Sequence, residues 1–284
     1  MVQKNHRAKR PKLLSHTRPP TISSKRAALS SKATRNFIRS HHRLLKKRAQ
    51  AVRACDEASA KKLEAQIQAN GGLESYQLAS RLGQSLERGG DSSKVLMEWM
   101  SPQLLRMSDA HPKLRVLEVG ALSTKNACSR NHYLDVTRID LNSQEPGILK
   151  QDFMDMPLPR TAGDRFDVIS LSLVLNYVPD AISRGEMLKR CAVFLRNPSS
   201  SLFMIPSLFL VLPVACIRNS RYLTEDRLED MMLSLGFTLT KCKESSKLIF
   251  QLWQLGQDNG TKSFKKEILR PGRARNNFSI VLNQ

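Results

Sequence analysis

The sequence Leu-Arg-Val-Leu-Glu-Val-Gly at residues 114–120 is a short run of strand-forming residues that stops at a glycine. Similar runs follow at residues 136–140, 166–173 and 207–212, and a helix is predicted over residues 182–195. Strands that alternate with helices along a chain form a mostly parallel sheet with helices on its faces. The sequence therefore predicts an α/β fold built on a doubly wound, mostly parallel sheet.

Two further strands are predicted near the end of this region, over residues 237–243 and 248–255. They are close enough in sequence to form a hairpin across Ser245-Ser246, and a helix capped by Thr224 precedes them. A terminal hairpin would add an antiparallel strand at the edge of the sheet.

Four regions are predicted along the chain. Residues 1–43 are rich in Lys, Arg, Ser, His and Pro, which indicates a disordered basic tail. Residues 44–112 form a helical N-terminal region, residues 113–256 the Rossmann-like domain, and residues 257–284 a basic C-terminal extension. Within the helical region, helices are expected over residues 44–69, 73–88 and 93–107.

The net charge of +21 is concentrated at the two ends of the chain. Residues 1–55 contain 16 Lys/Arg and no Asp or Glu, and residues 257–284 contain six Lys/Arg and two acids. The 24 basic and 23 acidic residues between them nearly balance. A basic arm of this kind favours a polyanion, with nucleic acid as the first candidate and an anionic membrane surface as the second.

Neither a metal site nor a membrane span is expected. The five cysteines form no CxxC motif, which argues against zinc and against a disulfide framework and favours a reducing compartment. The longest apolar run, residues 202–217, is short for a bilayer and is interrupted by Pro206 and Pro213. No secretory signal is visible at the N-terminus.

The ends of the first two strands predict a cofactor site. Gly120 ends the first strand and lets a ligand approach the backbone, and Asp140 ends the second strand 20 residues later. A carboxylate at that place accepts hydrogen bonds from a ribose diol. Either residue alone is as readily a turn glycine or a strand-end cap. The pair at this spacing favours a ribose-containing cofactor.

The sequence of the loop after the first strand indicates whether the cofactor is a dinucleotide or S-adenosylmethionine. It contains one glycine, Gly120, and lacks the G-x-G-x-x-G that seats a pyrophosphate. Glu118 places a negative charge near a sulfonium cation, while Asp152 and Phe153 would read and pack an adenine. This combination is typical of class I S-adenosylmethionine-dependent methyltransferases.

Asn176 and Tyr177 are the candidate substrate-binding and catalytic residues. They follow the strand over residues 166–173, at the edge of the sheet where a target base would arrive. Asn176 can hydrogen-bond a base edge, and Tyr177 can stack on the base. The alternative is that Tyr177 fills the hydrophobic core, as aromatic residues usually do.

Several long motifs resemble the fungal 25S ribosomal RNA adenine-N1 methyltransferase family; they occupy residues 76–99, 116–129, 138–159, 166–181, 219–224 and 275–278. The resemblance implies a nuclear, nucleolar enzyme that methylates N1 of an adenine in large-subunit rRNA, free or in a pre-ribosomal particle. It also implies that Gly120 and Asp140 contact S-adenosylmethionine.

Three other functions remain open at this point. The first is a catalytically inactive, methyltransferase-like RNA-binding scaffold in ribosome assembly, which the single-glycine loop would suit. The second is an NAD-dependent oxidoreductase, and the third is a methyltransferase acting on small molecules or proteins. The candidates for gripping RNA phosphates are Arg88, Lys94, Arg218 and Arg221, although ordinary surface charge explains each of them as well.

Overall fold

The computed structural model describes residues 31–83, 90–143, 145–198, 203–256, 260 and 262–283. Its centre is one sheet of seven strands: β1 (Leu114–Val119), β2 (Leu134–Asp140), β3 (Leu149–Lys150), β4 (Val168–Ser172), β5 (Ser207–Pro213), β6 (Phe237–Glu244) and β7 (Leu248–Leu255). The strands lie in the order β3-β2-β1-β4-β5-β7-β6. The first five strands are all parallel to one another. The predicted doubly wound, mostly parallel sheet is confirmed.

The predicted hairpin is present, but its reversed strand does not lie at the sheet edge. β7 runs antiparallel to both β5 and β6 and lies between them, so β6 forms the edge. The burial of the two strands explains this order. Six of the eight residues of β7 are buried, whereas six of the eight in β6 are exposed. The more apolar strand therefore takes the inner position.

Seven α-helices lie in the described part of the chain: α1 (Ser31–Arg53), α2 (Glu57–Ala69), α3 (Gly72–Gly83), α4 (Ser93–Leu104), α5 (Ala181–Phe194), α6 (Val214–Arg218) and α7 (Glu225–Ser234). The prediction of a disordered tail is wrong for residues 31–43, which belong to α1. The rest of the predicted tail, residues 1–30, lies outside the described residues.

The single helix predicted over residues 44–69 is two helices. Cys55 adopts a left-handed backbone with φ of 56° and breaks the run. Asp56 then starts α2, because its carboxylate accepts a hydrogen bond from the backbone N–H of Ser59 at 3.0 Å. The break allows α1 and α2 to fold back against each other.

Hydrophobic side chains cover both faces of the sheet, and β5 shows the alternation clearly. Leu208, Leu210 and Leu212 join the larger core cluster, while Phe209 and Val211 join the smaller one on the other face. Residues of α5 and α7 pack in the larger cluster and residues of α4 in the smaller. A strand buried on both faces reads as an unbroken apolar run, as this one does.

The C-terminal residues pack against the sheet domain. The larger core includes Phe264, Phe278 and Ile280. Gly185 of α5 is in contact with this segment, because a Cβ there would lie 1.9 Å from the carbonyl oxygen of Val281. Residues 262–283 therefore contribute to the core as well as to the positive charge.

No helix in the described part of the chain combines the length and the apolar character needed to cross a bilayer. The same residues contain no group of three or more His, Cys, Asp or Glu able to hold a metal ion.

Candidate functional site

The carboxyl ends of β2, β1 and β4 lie side by side, so the predicted site residues meet at one edge of the sheet. The backbone N–H groups of Gly120 and Ala121 both donate to the carbonyl oxygen of Ile139, at 2.8 and 3.0 Å. This shared acceptor fixes the loop after β1 against the end of β2. It holds Gly120 next to Asp140, as the sequence predicts.

Gly120 occupies a position that only glycine fits. Its φ is +73°, in the left-handed region that side chains with a Cβ disfavour. A Cβ at Gly120 would also lie 2.6 Å from Cγ2 of Val174, in the loop after β4. The glycine thus permits close contact between the β1 and β4 loops, which together border the site.

Glu118 is a partly buried carboxylate near the end of β1, two residues before Gly120. One of its oxygens accepts a hydrogen bond from the Asn126 side chain at 2.6 Å, and the other lies 3.9 Å from the Cys128 thiol, which donates to it. Burial raises the pKa of Glu118 to about 7, and the bonds from Asn126 and Cys128 and the charge of Arg138 offset only part of this effect. A cation beside Glu118 would stabilise its ionised form.

Asp140 and Asp152 occupy the next two turns along the same edge. The Asp140 carboxylate accepts from the backbone N–H of Asn142 at 2.9 Å, and its carbonyl accepts from Gln151 N–H at 2.9 Å. The Asp152 carboxylate accepts from Met154 N–H at 2.8 Å. Backbone hydrogen bonds therefore hold both carboxylates in fixed positions, and the bond through Gln151 ties the two turns together.

Phe153 lies in the hydrophobic core, and the contact predicted between its ring and an adenine stays a prediction. Its side chain is 2% exposed, and its ring packs against Phe194 with centroids 5.4 Å apart. Its carbonyl accepts from Arg190 Nε at 2.6 Å. The ring therefore belongs to the hydrophobic core, where it packs against α5.

Asn176 and Tyr177 lie in the loop after β4, which starts with a strained residue. Leu173 has a φ of +57°, an uncommon conformation for a side chain with a Cβ, and its N–H donates to Val211 at 3.0 Å. The Asn176 side-chain oxygen is buried and has no hydrogen-bond partner among the described residues. A buried acceptor without a donor costs about 1–3 kcal/mol. The Asn176 oxygen is therefore suited to accept a hydrogen bond from a donor group on a ligand.

Tyr177 contacts the N-terminal helices instead of the main core. Its ring centroid lies 4.1 Å from that of His42 in α1 and 5.7 Å from that of Tyr76 in α3, edge to face. His41 stacks on Tyr76 at 4.7 Å. The alternative that Tyr177 fills the core of the sheet is therefore wrong, because its neighbours come from α1 and α3.

Sequence reasoning missed His41, His42 and Tyr76 as neighbours of the site. Burial lowers the pKa of His42 to about 3, with a smaller contribution from His41, so the imidazole is neutral. Two adjacent histidines in an otherwise basic helix were the available signal, but no periodicity linked them to the loop after β4.

Comparisons with known proteins identify the family of this chain. The family model described as 25S rRNA (adenine(2142)-N(1))-methyltransferase, Bmt2, matches residues 61–280. The chain belongs to this family. All five candidate cofactor residues lie inside the matched range, as do Asn176 and Tyr177, whereas α1 lies outside it.

Two curated relatives belong to yeasts. The 25S rRNA (adenine(2142)-N(1))-methyltransferase of Saccharomyces cerevisiae is 41% identical over 220 residues, which cover 76% of this chain and 62% of that protein. The 25S rRNA adenine-N(1) methyltransferase of Schizosaccharomyces pombe is 37% identical over 249 residues, or 86% of this chain and 89% of that protein. The chain thus spans less than two thirds of the S. cerevisiae relative.

Among solved structures, the crystal structure of the [4+2]-cyclase SpnF is 11% identical to this chain. It aligns with a TM-score of 0.43 over 64% of this chain and 94% of SpnF. A likeness at this level carries no argument about function.

Asp91 is a further residue near the site whose contacts the sequence analysis did not predict. One carboxylate oxygen of Asp91 accepts from the backbone N–H and the hydroxyl of Ser93, the first residue of α4, at 2.9 and 2.7 Å. Its other oxygen accepts from the N–H of Ala127 at 2.6 Å. One carboxylate therefore joins the start of α4 to the loop after β1.

Two of the four predicted phosphate-gripping residues are engaged within the protein. Arg218 bridges Glu225 and Glu244, at 2.5 and 3.0 Å. Arg221 donates to the Gly272 carbonyl at 2.9 Å and holds the C-terminal segment. Arg88 lies outside the described residues, and Lys94 is exposed at the start of α4.

Proposed function

We propose that this chain transfers a methyl group from S-adenosylmethionine to N1 of an adenine in large-subunit (25S) ribosomal RNA. Membership of the family supports this proposal, and so do the names of both yeast relatives. The structural observation that carries it is the buried, partnerless oxygen of Asn176 beside the ring of Tyr177. An adenine offers the amino donor and the flat ring that this pair would accept.

The residues at the sheet edge fit the cofactor. Asp140 would accept hydrogen bonds from the ribose hydroxyls, and Asp152 from the adenine amino group. Glu118 is partly buried with a raised pKa of about 7, so a sulfonium cation nearby would offset the cost of its charge. S-adenosylmethionine, when bound, supplies a methyl group activated by that sulfonium.

Asn176 and Tyr177 would orient the target base. The amino group next to N1 of adenine can donate to the Asn176 oxygen, which fixes the direction of the N1 lone pair. A base that stacks on Tyr177 must displace the His42 imidazole or enter beside it, because the two rings are in contact. The position of α1 therefore bears on how the substrate enters.

The reaction needs no strong general base. The in-plane lone pair of N1 forms the new bond as the methyl–sulfur bond breaks, and the adenine ring takes up the positive charge. His42 is neutral and buried, and burial raises the thiol pKa of Cys128 to about 11 and of Cys216 to about 12. These residues are unsuited to nucleophilic catalysis, so rate enhancement should come from alignment and desolvation.

N1 lies on the Watson–Crick edge, which is blocked in a duplex. The target adenine must therefore be unpaired or extruded, at a cost of roughly a few kcal/mol. Phosphate contacts from basic residues can supply part of that free energy.

The test is nucleoside mass spectrometry of unmodified 25S rRNA incubated with the purified chain and S-adenosylmethionine. We expect new N1-methyladenosine, and we expect Asp140→Ala to abolish it by loss of cofactor affinity. Asp135→Ala is the matched control, because Asp135 is an exposed carboxylate on the same strand. Asn176→Ala should keep cofactor affinity and lower kcat by at least about tenfold, the equivalent of one lost hydrogen bond to the reacting base.

Two results would contradict the proposal. RNA binding without any methylated nucleoside would favour the catalytically inactive scaffold. Unchanged cofactor affinity in Asp140→Ala would show that the cofactor site is assigned to the wrong residues.

We also propose that the chain acts in the nucleolus during ribosome biogenesis. The uneven charge supports this proposal, since residues 1–55 contain 16 Lys/Arg and no Asp or Glu. Fluorescent fusions of the full chain should co-localise with a nucleolar marker, and a diffuse cytoplasmic signal would contradict the proposal.

A further inference from the structure

A cavity of about 280 Å³ lies between α1 and the sheet domain. Its walls come from three parts of the chain: Lys46, Ala49, Gln50 and Arg53 of α1; Pro179, Asp180, Ala181, Ile182 and Arg184 around the start of α5; and Lys266, Asn277, Ser279 and Val281 of the C-terminal segment. We call this space the cationic cavity.

Four of the lining residues are cationic and one is a carboxylate. That carboxylate, Asp180, is already engaged, because it pairs with Arg53 at 2.7 Å and accepts from Ser183 N–H at 2.8 Å. Lys46 and Lys266 have no carboxylate within salt-bridge distance among the described residues. The cavity therefore carries an excess of positive charge.

Arg184 adds a buried cation to the cavity wall. It is 6% exposed, and its guanidinium donates to the carbonyls of Val178 and Ser279, at 3.0 and 2.6 Å, and stacks on Phe278. Carbonyl acceptors solvate this charge but do not neutralise it. The nearby carboxylate of Asp180 offsets part of this charge, but it also pairs with Arg53, so an anion in the cavity would be favoured.

The neighbouring positive charges affect the pKa of Lys46. Burial, together with the charges of Arg184 and Lys266, lowers the pKa of its ammonium group. Arg184 and Lys266, from two other segments of the chain, are therefore close enough to repel the charge of Lys46. A bound anion would reverse that repulsion.

The cationic cavity lies beside the proposed base site. Its wall at Pro179–Ile182 begins two residues after Tyr177 in the same loop. On α1, Lys46 follows His42 by four residues, which places the two side chains one turn apart on the same face. A base at Tyr177 and a phosphate in the cavity would therefore be neighbours.

We propose that the cationic cavity binds a backbone phosphodiester of the substrate RNA next to the target adenosine. This inference rests on the proposed function for the identity of the anion. Lys46 and Lys266 would contact the phosphate directly, while Arg53 and Arg184 would hold the walls in place.

The experiment measures RNA affinity of the full chain with S-adenosylhomocysteine present, so that no turnover occurs. The probes are single-stranded 25S rRNA segments with one neutral methylphosphonate placed in turn at each phosphate near the target adenosine. The test variant is Lys46→Gln/Lys266→Gln. Lys47→Gln is the control, because Lys47 lies on the same helix but does not line the cavity.

We expect the double variant to bind unmodified RNA roughly fivefold more weakly and to show a salt slope smaller by about 0.7, the value for one phosphate of a single strand. One methylphosphonate should weaken binding by the wild-type chain and have no further effect on the double variant. This non-additivity identifies the phosphate that the cavity holds.

The proposal would be overturned if, at every methylphosphonate position, the loss of RNA affinity caused by the probe added to the loss caused by the double variant. An equal loss of affinity in the Lys47→Gln control would also overturn it. Uptake of inorganic phosphate without coupling to any RNA position would also overturn it. The methylation assay is read separately. If N1-methyladenosine forms but no methylphosphonate position is non-additive with the double variant, only the phosphate site in the cavity is refuted. If one position is non-additive but no methylation occurs, only the proposed activity is refuted.

Discussion

Replacing Glu118 with glutamine should stabilise the protein in the absence of cofactor and weaken cofactor binding. The carboxyl group is partly buried, and its pKa in the folded state is about 7, against 4.5 as the ordinary value. Between these two values the unfolded chain has released the proton of Glu118, while the folded chain still holds it. Stability therefore falls as pH rises from about 4.5 to about 7.

The size of the effect follows from the shift in pKa. A difference of about 2.5 units corresponds to roughly 3 kcal/mol once the pH exceeds both values. At pH 5 only about 1 kcal/mol of this cost is present. Glutamine keeps an oxygen that can accept from Asn126, but it has no charge to bury. The stability advantage of Glu118→Gln should therefore grow by about 2–3 kcal/mol between pH 5 and pH 8.

Chemical denaturation of both proteins at pH 5 and pH 8, without cofactor, measures this difference directly. Other titrating groups contribute equally to the free energy of unfolding of both proteins, so their contributions cancel in the difference. The control is Glu229→Gln, an exposed carboxylate on α7, which should show no pH-dependent change. In parallel, the affinity of the wild type for S-adenosylmethionine should rise with pH through about 7, whereas that of Glu118→Gln should be weak and flat. A stability difference that is the same at both pH values would refute this reasoning.

Three further predictions follow from the same geometry. Gly120→Ala should lose cofactor binding, measured by calorimetry, because its Cβ would lie 2.6 Å from Val174 in a left-handed backbone; retained affinity would contradict the site. Lowering the pH from 7 to 5 should weaken the docking of α1 by about 2 kcal/mol, because the packing of His42 disfavours its protonation; amide hydrogen exchange in α1, compared with that of His42→Phe at each pH, should then be faster at pH 5 in the wild type alone. Deleting residues 1–30, which carry eight Lys/Arg and no acid, should flatten the salt dependence of RNA binding, and an unchanged slope would place the RNA contacts elsewhere.

β1, β4 and β5 were predictable because each is a short, mostly apolar and largely buried run. β3, whose two residues are both exposed, was not predicted. β1 was placed correctly at Leu114–Val119, and the neighbouring order of β1, β2 and β4 brings Gly120, Asp140 and Asn176 to one edge. The inner position of β7 was not predictable from local pattern. It depends on which strand of the hairpin buries more surface against β5, a long-range property.

The errors in the site have a common physical cause. The burial of the Phe153 ring was missed because its place after Asp152 does not show which way the ring turns, and α5 offers it an apolar surface. The role of α1 was missed because its composition is as basic as the tail before it. Only its packing on Tyr177 distinguishes it from that tail.

The N-terminal helix connects the two halves of the proposed substrate site. The edge of the sheet can hold the cofactor with its own residues, and all of those residues lie within the matched range 61–280. In contrast, the ring facing Tyr177 and one wall of the cationic cavity both come from α1, outside that range. Since His42 and Lys46 are one helical turn apart on a single rigid element, movement of α1 would change base stacking and phosphate binding together. Substrate selection should therefore depend on the docking of α1, while cofactor binding should not.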